Sequence, residues 1–106
     1  QEVLKRLHDS GAAVLCSGPF IFPHPQKYQL WIPYVLELEQ IMGEICESLS
    51  VSFIPLHSYL TSLVKNGDYD AVTTDGIHLT AYGHKMLAEY LLPHFLSLPQ
   101  TEAPSV

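Results

Sequence analysis

Ala12-Ala-Val-Leu-Cys16 is the stretch that decides the fold, because it is a strand-length run of apolar residues without polar alternation. Continuous apolar runs are typical of parallel sheets that are covered by helices on both faces. Residues 51–55 (VSFIP) are interpreted as a second strand of this kind. We therefore predict two buried strands in an α/β fold.

The segment between these two runs supplies a helix. Apolar residues recur there at helical spacing, with glutamate and glutamine on the opposite side. The apolar positions are Tyr34, Leu38, Ile41, Met42, Ile45 and Leu49. An amphipathic helix between two strands makes a right-handed βαβ unit, so the two strands are expected to be parallel.

Residues 17–33 precede this helix as a long irregular connection that is rich in proline. The connection also contains the aromatic residues Phe20, Phe22, Tyr28 and Trp31. Because it leaves the carboxyl end of the first strand, its aromatic side chains either line an acyl or alcohol pocket or fold over the core. The sequence leaves these two interpretations open.

The remaining elements are short. Residues 2–9 predict the end of a helix, residues 57–65 a short helix and residues 66–68 a turn. Thr80 is expected to cap a last helix that runs to about Leu92, where Pro93 disrupts or ends it. The tail, residues 99–106, is predicted to be disordered, which leaves residues 1–98 as the folded part. Because the chain opens at Gln1 already in helical pattern, we expect it to be cut from a longer protein.

The charge balance argues against nucleic acid as a partner, since the net charge is −6 with five lysine and arginine residues and no basic run. No apolar stretch approaches the roughly 18 residues of a membrane span. We predict a soluble protein and favour the cytoplasm as its location. Cys16 and Cys46 are expected to be buried free thiols.

The chemistry is predicted to lie in residues 75–84 (DGIHLTAYGH), which follow the second strand. A serine hydrolase needs an imidazole to take the proton of the nucleophile, and a carboxylate on the far ring nitrogen to orient that imidazole. Asp75 and His78 can supply both groups from one loop, because Gly76 lets the backbone turn tightly between them. We therefore predict Asp75 as the orienting acid and His78 as the general base.

Three other interpretations concern the same residues. In the first, Asp75 merely binds the amides of its own turn and His78 only precedes a helix. In the second, Asp75, His78 and His84 are ligands of zinc or iron. In the third, Ser17 is a nucleophile within this chain, although Leu15 and Pro19 do not fit the Gly-x-Ser-x-Gly elbow. We favour the acid–base pair and predict neither a metal nor a cofactor.

Residues 75–88 (DGIHLTAYGHKMLA) resemble the last conserved block of the SGNH, or GDSL-type, serine hydrolases. The resemblance covers roughly residues 4 to 96, the C-terminal part of a three-layer, flavodoxin-like α/β fold with parallel strands and flanking helices. It implies that Asp75 and His78 belong to a Ser-His-Asp triad. It also implies a serine in a Gly-Asp-Ser block and oxyanion-hole residues in earlier blocks, none of which is recognisable here.

The function predicted from this resemblance is the hydrolysis of a small ester, with water as the only cosubstrate and no cofactor. The chain would contribute the acid and the base, and an N-terminal segment carrying the nucleophile would be its partner. On its own the chain is expected to be inactive. The alternative is a non-catalytic fragment or interaction module that needs a partner segment to cover its sheet.

Overall fold

The computed structural model describes residues 1–98, so the predicted disordered tail lies outside the described residues. Within that range the chain is a small mixed domain of helices and a short parallel sheet. The elements are α1 (Glu2–Asp9), β1 (Leu15–Ser17), α2 (Ile32–Ser48), β2 (Ser52–Ile54), α3 (Leu56–Ser62) and α4 (Ala81–Leu96), with 3₁₀ turns at Gln26–Trp31 and Tyr69–Ala71. The predicted order of strands and helices is confirmed.

The sheet consists of β1 and β2, which pair in parallel with Leu15 opposite Ser52 and Ser17 opposite Ile54. The parallel pairing predicted from the apolar runs is therefore confirmed. The two strands are joined by the connection and by α2, as in a βαβ unit. Because both strands run the same way, the segments that follow them leave from the same edge of the sheet.

Both faces of this sheet have helical neighbours. On one face the ring of Phe53 packs over Gly43 of α2, where a Cβ on the glycine would lie 3.5 Å from the ring. On the other face Leu91 and Phe95 of α4 line a small cavity together with Leu15 and Ile54. The side chains of neighbouring strand residues therefore point to different helices, as strand geometry requires.

The predicted burial of the first strand is wrong. Ala12 and Ala13 are exposed and precede the strand, Leu15 and Cys16 are half-buried, and Ser17 is exposed. The physical reason is the width of the sheet, because in the described part of the chain β1 has a strand on one side only. Both cysteines are free thiols, as predicted, but only Cys46 is fully buried.

The two long helices differ from the prediction at their ends. α2 begins at Ile32 rather than Tyr34, since Pro33 suits the first turn of a helix, where its missing N–H has no intrahelical partner. α4 continues past Pro93 to Leu96, so the predicted end near Leu92 is wrong. Pro93 removes one backbone bond, but its own carbonyl still accepts the N–H of Ser97 at 3.0 Å. No helix within residues 1–98 is long and apolar enough to cross a membrane.

A hydrophobic core cluster packs against the loop that carries Asp75 and His78. Its buried members are Phe22, Leu60, Val72 and Leu79. They come from the connection, from α3 and from the two sides of that loop. The core therefore supports the candidate site directly, and this explains why an aromatic residue is present in the connection.

A row of exposed apolar side chains extends along one side of α2. The row, called the α2 stripe, consists of Trp31, which directly precedes the helix, and of Tyr34, Leu38 and Ile41 within it. The three helical residues follow one another at spacings of four and three, so they share one side of α2. The stripe adjoins the face of α2 that Val35 and Cys46 bury against the rest of the domain. Apolar surface of this kind is a feature of contact sites.

Candidate active site

Asp75 and His78 are brought together by one turn. Oδ2 of Asp75 lies 2.6 Å from Nδ1 of His78, a short hydrogen bond of the kind that a charged carboxylate accepts. The side chain of Asp75 is 48% exposed and that of His78 is 73% exposed. The two residues therefore form a pair at the surface, with the imidazole more open to solvent than the carboxylate.

The second oxygen of Asp75 organises the turn itself. Oδ1 accepts the backbone N–H of Ile77 at 3.0 Å and that of His78 at 2.8 Å. These amide bonds, led by that of Ile77, and the bond to the imidazole hold the pKa of Asp75 at about 2, below its ordinary value of 3.8. Both sequence interpretations therefore apply to Asp75: Oδ1 caps the turn, and Oδ2 binds the imidazole.

This arrangement assigns the proton on the ring. A carboxylate can only accept a hydrogen bond, so Nδ1 of His78 carries the proton that lies between it and Asp75. In the neutral ring Nε2 then holds a lone pair. No group in residues 1–98 hydrogen-bonds to Nε2. The side chain is thereby set up to take a proton from a group that approaches from solvent.

Thr73 holds the turn from beneath. Its side chain is buried, with 1% of the residue exposed, and its Oγ1 accepts the N–H of Gly76 at 2.8 Å. The same hydroxyl donates to the carbonyl of His78 at 2.6 Å. The backbone adds an antiparallel bridge between Thr73 and Leu79. One buried hydroxyl therefore joins the two sides of the loop.

Gly76 is required for two reasons, of which the sequence showed one. Its φ is +97°, a left-handed conformation that suits the tight turn expected from sequence. A Cβ at this position would also lie 2.6 Å from the carbonyl oxygen of His24 and 2.7 Å from the ring of Tyr28. The carbonyl of Gly76 in turn accepts the N–H of Phe22 at 3.0 Å. The glycine is thus the place where the connection meets the loop.

The loop passes into α4 through Thr80, which caps that helix as predicted. Thr80 Oγ1 accepts the N–H of Gly83 at 3.1 Å and donates to the carbonyl of Ala71 at 2.7 Å. Gly83 lets α4 approach closely, because a Cβ there would lie 2.5 Å from the carbonyl oxygen of Val72. Leu79 is buried in the core between these contacts. The imidazole therefore stands on a packed support.

The aromatic residues of the connection divide between the two interpretations. Phe22 is fully buried in the core and Phe20 packs against it, so these two fold over the core. The ring of Tyr28 lies against Gly76, next to the candidate pair. Trp31 is exposed at the start of α2. The connection thus serves mainly to hold the loop that carries Asp75 and His78. Tyr28 is the aromatic residue of the connection that lies next to the candidate site.

His57 fastens the connection at another point. It is 3% exposed, and its Nδ1 accepts the backbone N–H of Ile21 at 3.4 Å. Burial lowers the pKa of His57 below 6.5, against the opposing influence of the carboxylate of Glu39. A neutral ring is therefore favoured, and only a neutral ring has a lone pair for Ile21. His57 is therefore a packing residue that binds the connection to α3, and it takes no part in the candidate pair.

The other candidates from sequence do not join the pair. Ser17 ends β1 at the surface, and no serine hydroxyl among residues 1–98 hydrogen-bonds to His78. His84 lies exposed in the first turn of α4. Within the described range, Asp75, His78 and His84 do not form a group that could hold a metal ion. Of the site residues predicted from sequence, all of which lie within residues 1–98, the structure brings together Asp75 and His78.

Sequence reasoning missed Thr73 and the close approach at Gly83. Both belong to a Thr-x-x-Gly pattern, since Thr73 accepts from Gly76 just as Thr80 accepts from Gly83. The first occurrence could have been found from the spacing, because a threonine hydroxyl commonly binds a backbone amide a few residues later. The second half of the role of Thr73, its bond to the carbonyl of His78, depends on how the loop closes.

No family model, curated protein or solved structure matches the chain. The chemistry open to the chain is therefore indicated by its own residues, foremost the pair formed by Asp75 and His78.

Proposed function

We propose that this chain supplies the acid and the base of a serine ester hydrolase. The observation that carries the proposal is the 2.6 Å contact between Asp75 and Nδ1 of His78, combined with the exposure of the ring. A general base must be held in one tautomer and must still be reachable by its partner. The pair meets both conditions, and its resemblance to the last block of the SGNH hydrolases gives the same assignment.

In the proposed reaction, Nε2 of His78 takes the proton of a serine hydroxyl as its oxygen bonds to the ester carbonyl. Asp75 stays ionised, because its pKa of about 2 keeps it charged at neutral pH. The imidazolium then gives the proton to the leaving alcohol, and water repeats the cycle on the acyl-enzyme. The bonds formed and broken balance without a cofactor.

The serine in this proposal belongs to another segment, since Ser17 makes no bond to His78 in the described structure. The position of the pair supports a shared site. The connection leaves the carboxyl end of β1, where the N–H of Gly18 donates to Ile54, and reaches the loop through Phe22 and Gly76. In a parallel sheet, groups that follow other strands meet at this same edge. A three-layer, flavodoxin-like domain, completed by further strands, is the proposed architecture.

The test is fragment complementation. The chain is mixed with the N-terminal part of an SGNH hydrolase that contains Gly-Asp-Ser but ends before its own Asp-x-x-His block. Assembly is followed by size-exclusion chromatography, turnover with 4-nitrophenyl acetate, and serine reactivity with a fluorophosphonate. We expect turnover only from the assembled mixture.

Variants of this chain identify the groups involved. His78→Ala is expected to lower turnover about 10²–10⁴-fold, the usual contribution of a positioned base. Asp75→Asn should lower it similarly, because an amide can hold the wrong tautomer. His84→Gln, in the exposed first turn of α4, is the matched control and should leave turnover unchanged. Assembly without turnover would refute the proposal. If the chain alone is active and Ser17→Ala abolishes that activity, the claim that the serine belongs to another segment is wrong.

A second candidate is a docking module without catalysis, and the α2 stripe favours it. Trp31, Tyr34, Leu38 and Ile41 expose apolar surface continuous with the packed face of α2. If the mixture assembles, Leu38→Glu should weaken assembly when the stripe is the contact surface. Assembly that depends on Leu38 and yields no turnover with wild-type His78 would favour this second function.

A further inference from the structure

Thr73 is the only buried residue whose side chain bonds to both sides of the loop carrying Asp75 and His78, among residues 1–98. Its hydroxyl accepts from the N–H of Gly76 and donates to the carbonyl of His78. A hydroxyl has one proton and two lone pairs, so these two bonds are compatible. The bond to Gly76 is sheltered, since both residues are buried.

We infer that Thr73 is the positioning residue of the pair, and that its hydroxyl sets the tautomer of His78 by fixing the turn in which Asp75 lies. The inference deepens the proposed function, because a fixed tautomer is what a general base requires. Within residues 1–98, the hydroxyl of Thr73 bonds to the backbone of Gly76 and His78 and makes no hydrogen bond to the imidazole. It acts through the backbone on the two residues that do the chemistry.

Gly76 depends on the hydroxyl of Thr73 for a backbone hydrogen bond. Its amide is buried and has the hydroxyl of Thr73 as its acceptor. Without an acceptor, a buried N–H must either remain unpaired or turn towards solvent, and leaving it unpaired is costly. Asp75 is the residue directly before this amide, so a rotation of the Asp75–Gly76 peptide moves the carboxylate of Asp75 relative to the ring of His78.

The carbonyl of His78 is the second group that the hydroxyl of Thr73 binds. It accepts from Thr73 Oγ1 at 2.6 Å and from the backbone N–H of Thr74 at 3.0 Å. The carbonyl keeps one partner when the hydroxyl is removed, whereas the amide of Gly76 loses its only acceptor among residues 1–98. We therefore expect the main effect of losing the hydroxyl at Gly76 and Asp75, with little loss of the bridge to Leu79.

Two substitutions separate the hydroxyl from the packing of Thr73. Thr73→Val keeps the volume and removes the hydroxyl, whereas Thr73→Ser keeps the hydroxyl and removes one methyl group. A residue that serves only to pack would tolerate valine better than serine. If Thr73 positions the pair through its hydroxyl, Thr73→Ser should keep the wild-type tautomer of His78 and Thr73→Val should not.

Thr74→Val is the matched control. Thr74 is exposed and adjacent, and its side chain makes no hydrogen bond within residues 1–98, although its backbone belongs to the same loop. The substitution changes the same chemical group one residue away. It should leave the tautomer of His78 as in the wild type.

The measurement is ¹⁵N NMR of the imidazole of His78 in the full chain, at a pH where the ring is neutral. The wild type, Thr73→Ser and Thr74→Val should show mainly the Nδ1–H tautomer. In Thr73→Val its population should fall at least about twofold, because free imidazole rings favour the other tautomer when no carboxylate holds Nδ1. An unchanged tautomer in a folded Thr73→Val chain overturns the inference.

Hydrogen exchange of the wild type tests the inference even if Thr73→Val does not fold. The N–H of Gly76 should exchange slowly, since its acceptor is a buried hydroxyl. Exchange of this amide at the rate of an unstructured peptide would show that the hydroxyl does not hold the turn, and would overturn the inference. Neither readout requires ester hydrolysis, so a loss of tautomer control and a failure of the proposed function are distinguishable.

Discussion

Asp75 contacts His78 twice, with Oδ2 at 2.6 Å from Nδ1 of the ring and Oδ1 at 2.8 Å from the backbone N–H of the same residue. One carboxylate therefore fixes both the ring and the backbone of His78. This double contact explains why a spacing of three residues suffices, since the turn that brings the side chains together is itself built by Asp75.

The first prediction concerns the pKa of Asp75. The amide of Ile77 contributes most to lowering it, ahead of the bond to the imidazole. In His78→Ala the pKa should therefore rise from about 2 but stay below 3.8, because the turn still offers its two amides. The measurement is a titration of the ¹³C shift of the carboxyl group. A full return to 3.8 would mean that the imidazole, not the turn, lowers the pKa.

The lowered pKa of Asp75 also affects stability at acid pH. The unfolded chain takes up the proton near pH 3.8, whereas the folded chain takes it up only near pH 2. The contribution of Asp75 to the free energy of unfolding is thus present above about pH 4 and is lost as the pH falls towards 2. The wild type and Asp75→Asn should become closer in stability over that interval.

The second prediction compares two glycines with positive φ. Gly67 has φ +72° and no atom within 4 Å of a Cβ, so Gly67→Ala should cost only the conformational strain, about 1 kcal/mol. Gly76→Ala adds a clash with the carbonyl of His24 and the ring of Tyr28. It should cost about 2–5 kcal/mol in all.

Denaturant unfolding measures both variants. Equal losses of stability would mean that the connection yields to the new methyl group at no cost. The larger loss at Gly76 should be accompanied by weaker pairing of Asp75 with His78, because the same glycine carries the turn between them.

The third prediction compares two glycines inside helices. Gly43 of α2 leaves room for a methyl group, which would lie 3.5 Å from the ring of Phe53, so Gly43→Ala should stabilise the domain by about 0.5–1 kcal/mol. Gly83→Ala gains the same helix propensity but places a Cβ 2.5 Å from the carbonyl oxygen of Val72. A net loss of about 1–3 kcal/mol is expected there.

Thermal and urea unfolding of the two alanine variants should therefore give changes of opposite sign. If Gly83→Ala is as stabilising as Gly43→Ala, α4 does not need its close approach to Val72. That result would also weaken the view that α4 is a rigid support for His78.

The fourth prediction concerns pH and His57. Burial lowers the pKa of His57 in the folded chain, so the unfolded chain binds the proton first as the pH falls below about 6.5. The folded state therefore loses stability from about pH 7 downwards, until the pKa of the folded state is reached. His57→Asn keeps an acceptor near Ile21 and does not titrate.

The difference in unfolding free energy between the wild type and His57→Asn should accordingly change as the pH falls from about 7 through the ordinary histidine pKa of about 6.5, with the wild type declining faster. Urea titrations at a series of pH values provide the comparison, and the variant corrects for the other histidines. Parallel pH profiles of the two proteins would show that His57 titrates normally in the folded chain.

Local features were predictable wherever one segment of chain contains the whole cause. The parallel strands follow from two apolar runs, the cap at Thr80 from its place before the last helix, and the pair of Asp75 and His78 from a three-residue turn through Gly76. Each rests on short-range geometry or on the pattern of polar and apolar residues. The continuation of α4 past Pro93 was not predicted. A proline in the sequence shows that one backbone hydrogen bond is lost, but it does not show which other contacts hold that turn of the helix.

The amino-acid sequence by itself determined the order of strands and helices and the two residues of the candidate site. Only the tertiary structure decided what holds those residues in place. Thr73 reaches the carbonyl of His78, Phe22 reaches Gly76, and the half-buried state of β1 depends on strands present beside it. The physical reason is that these contacts join segments whose approach depends on packing of the whole core, and residue patterns along the chain record only short-range preferences.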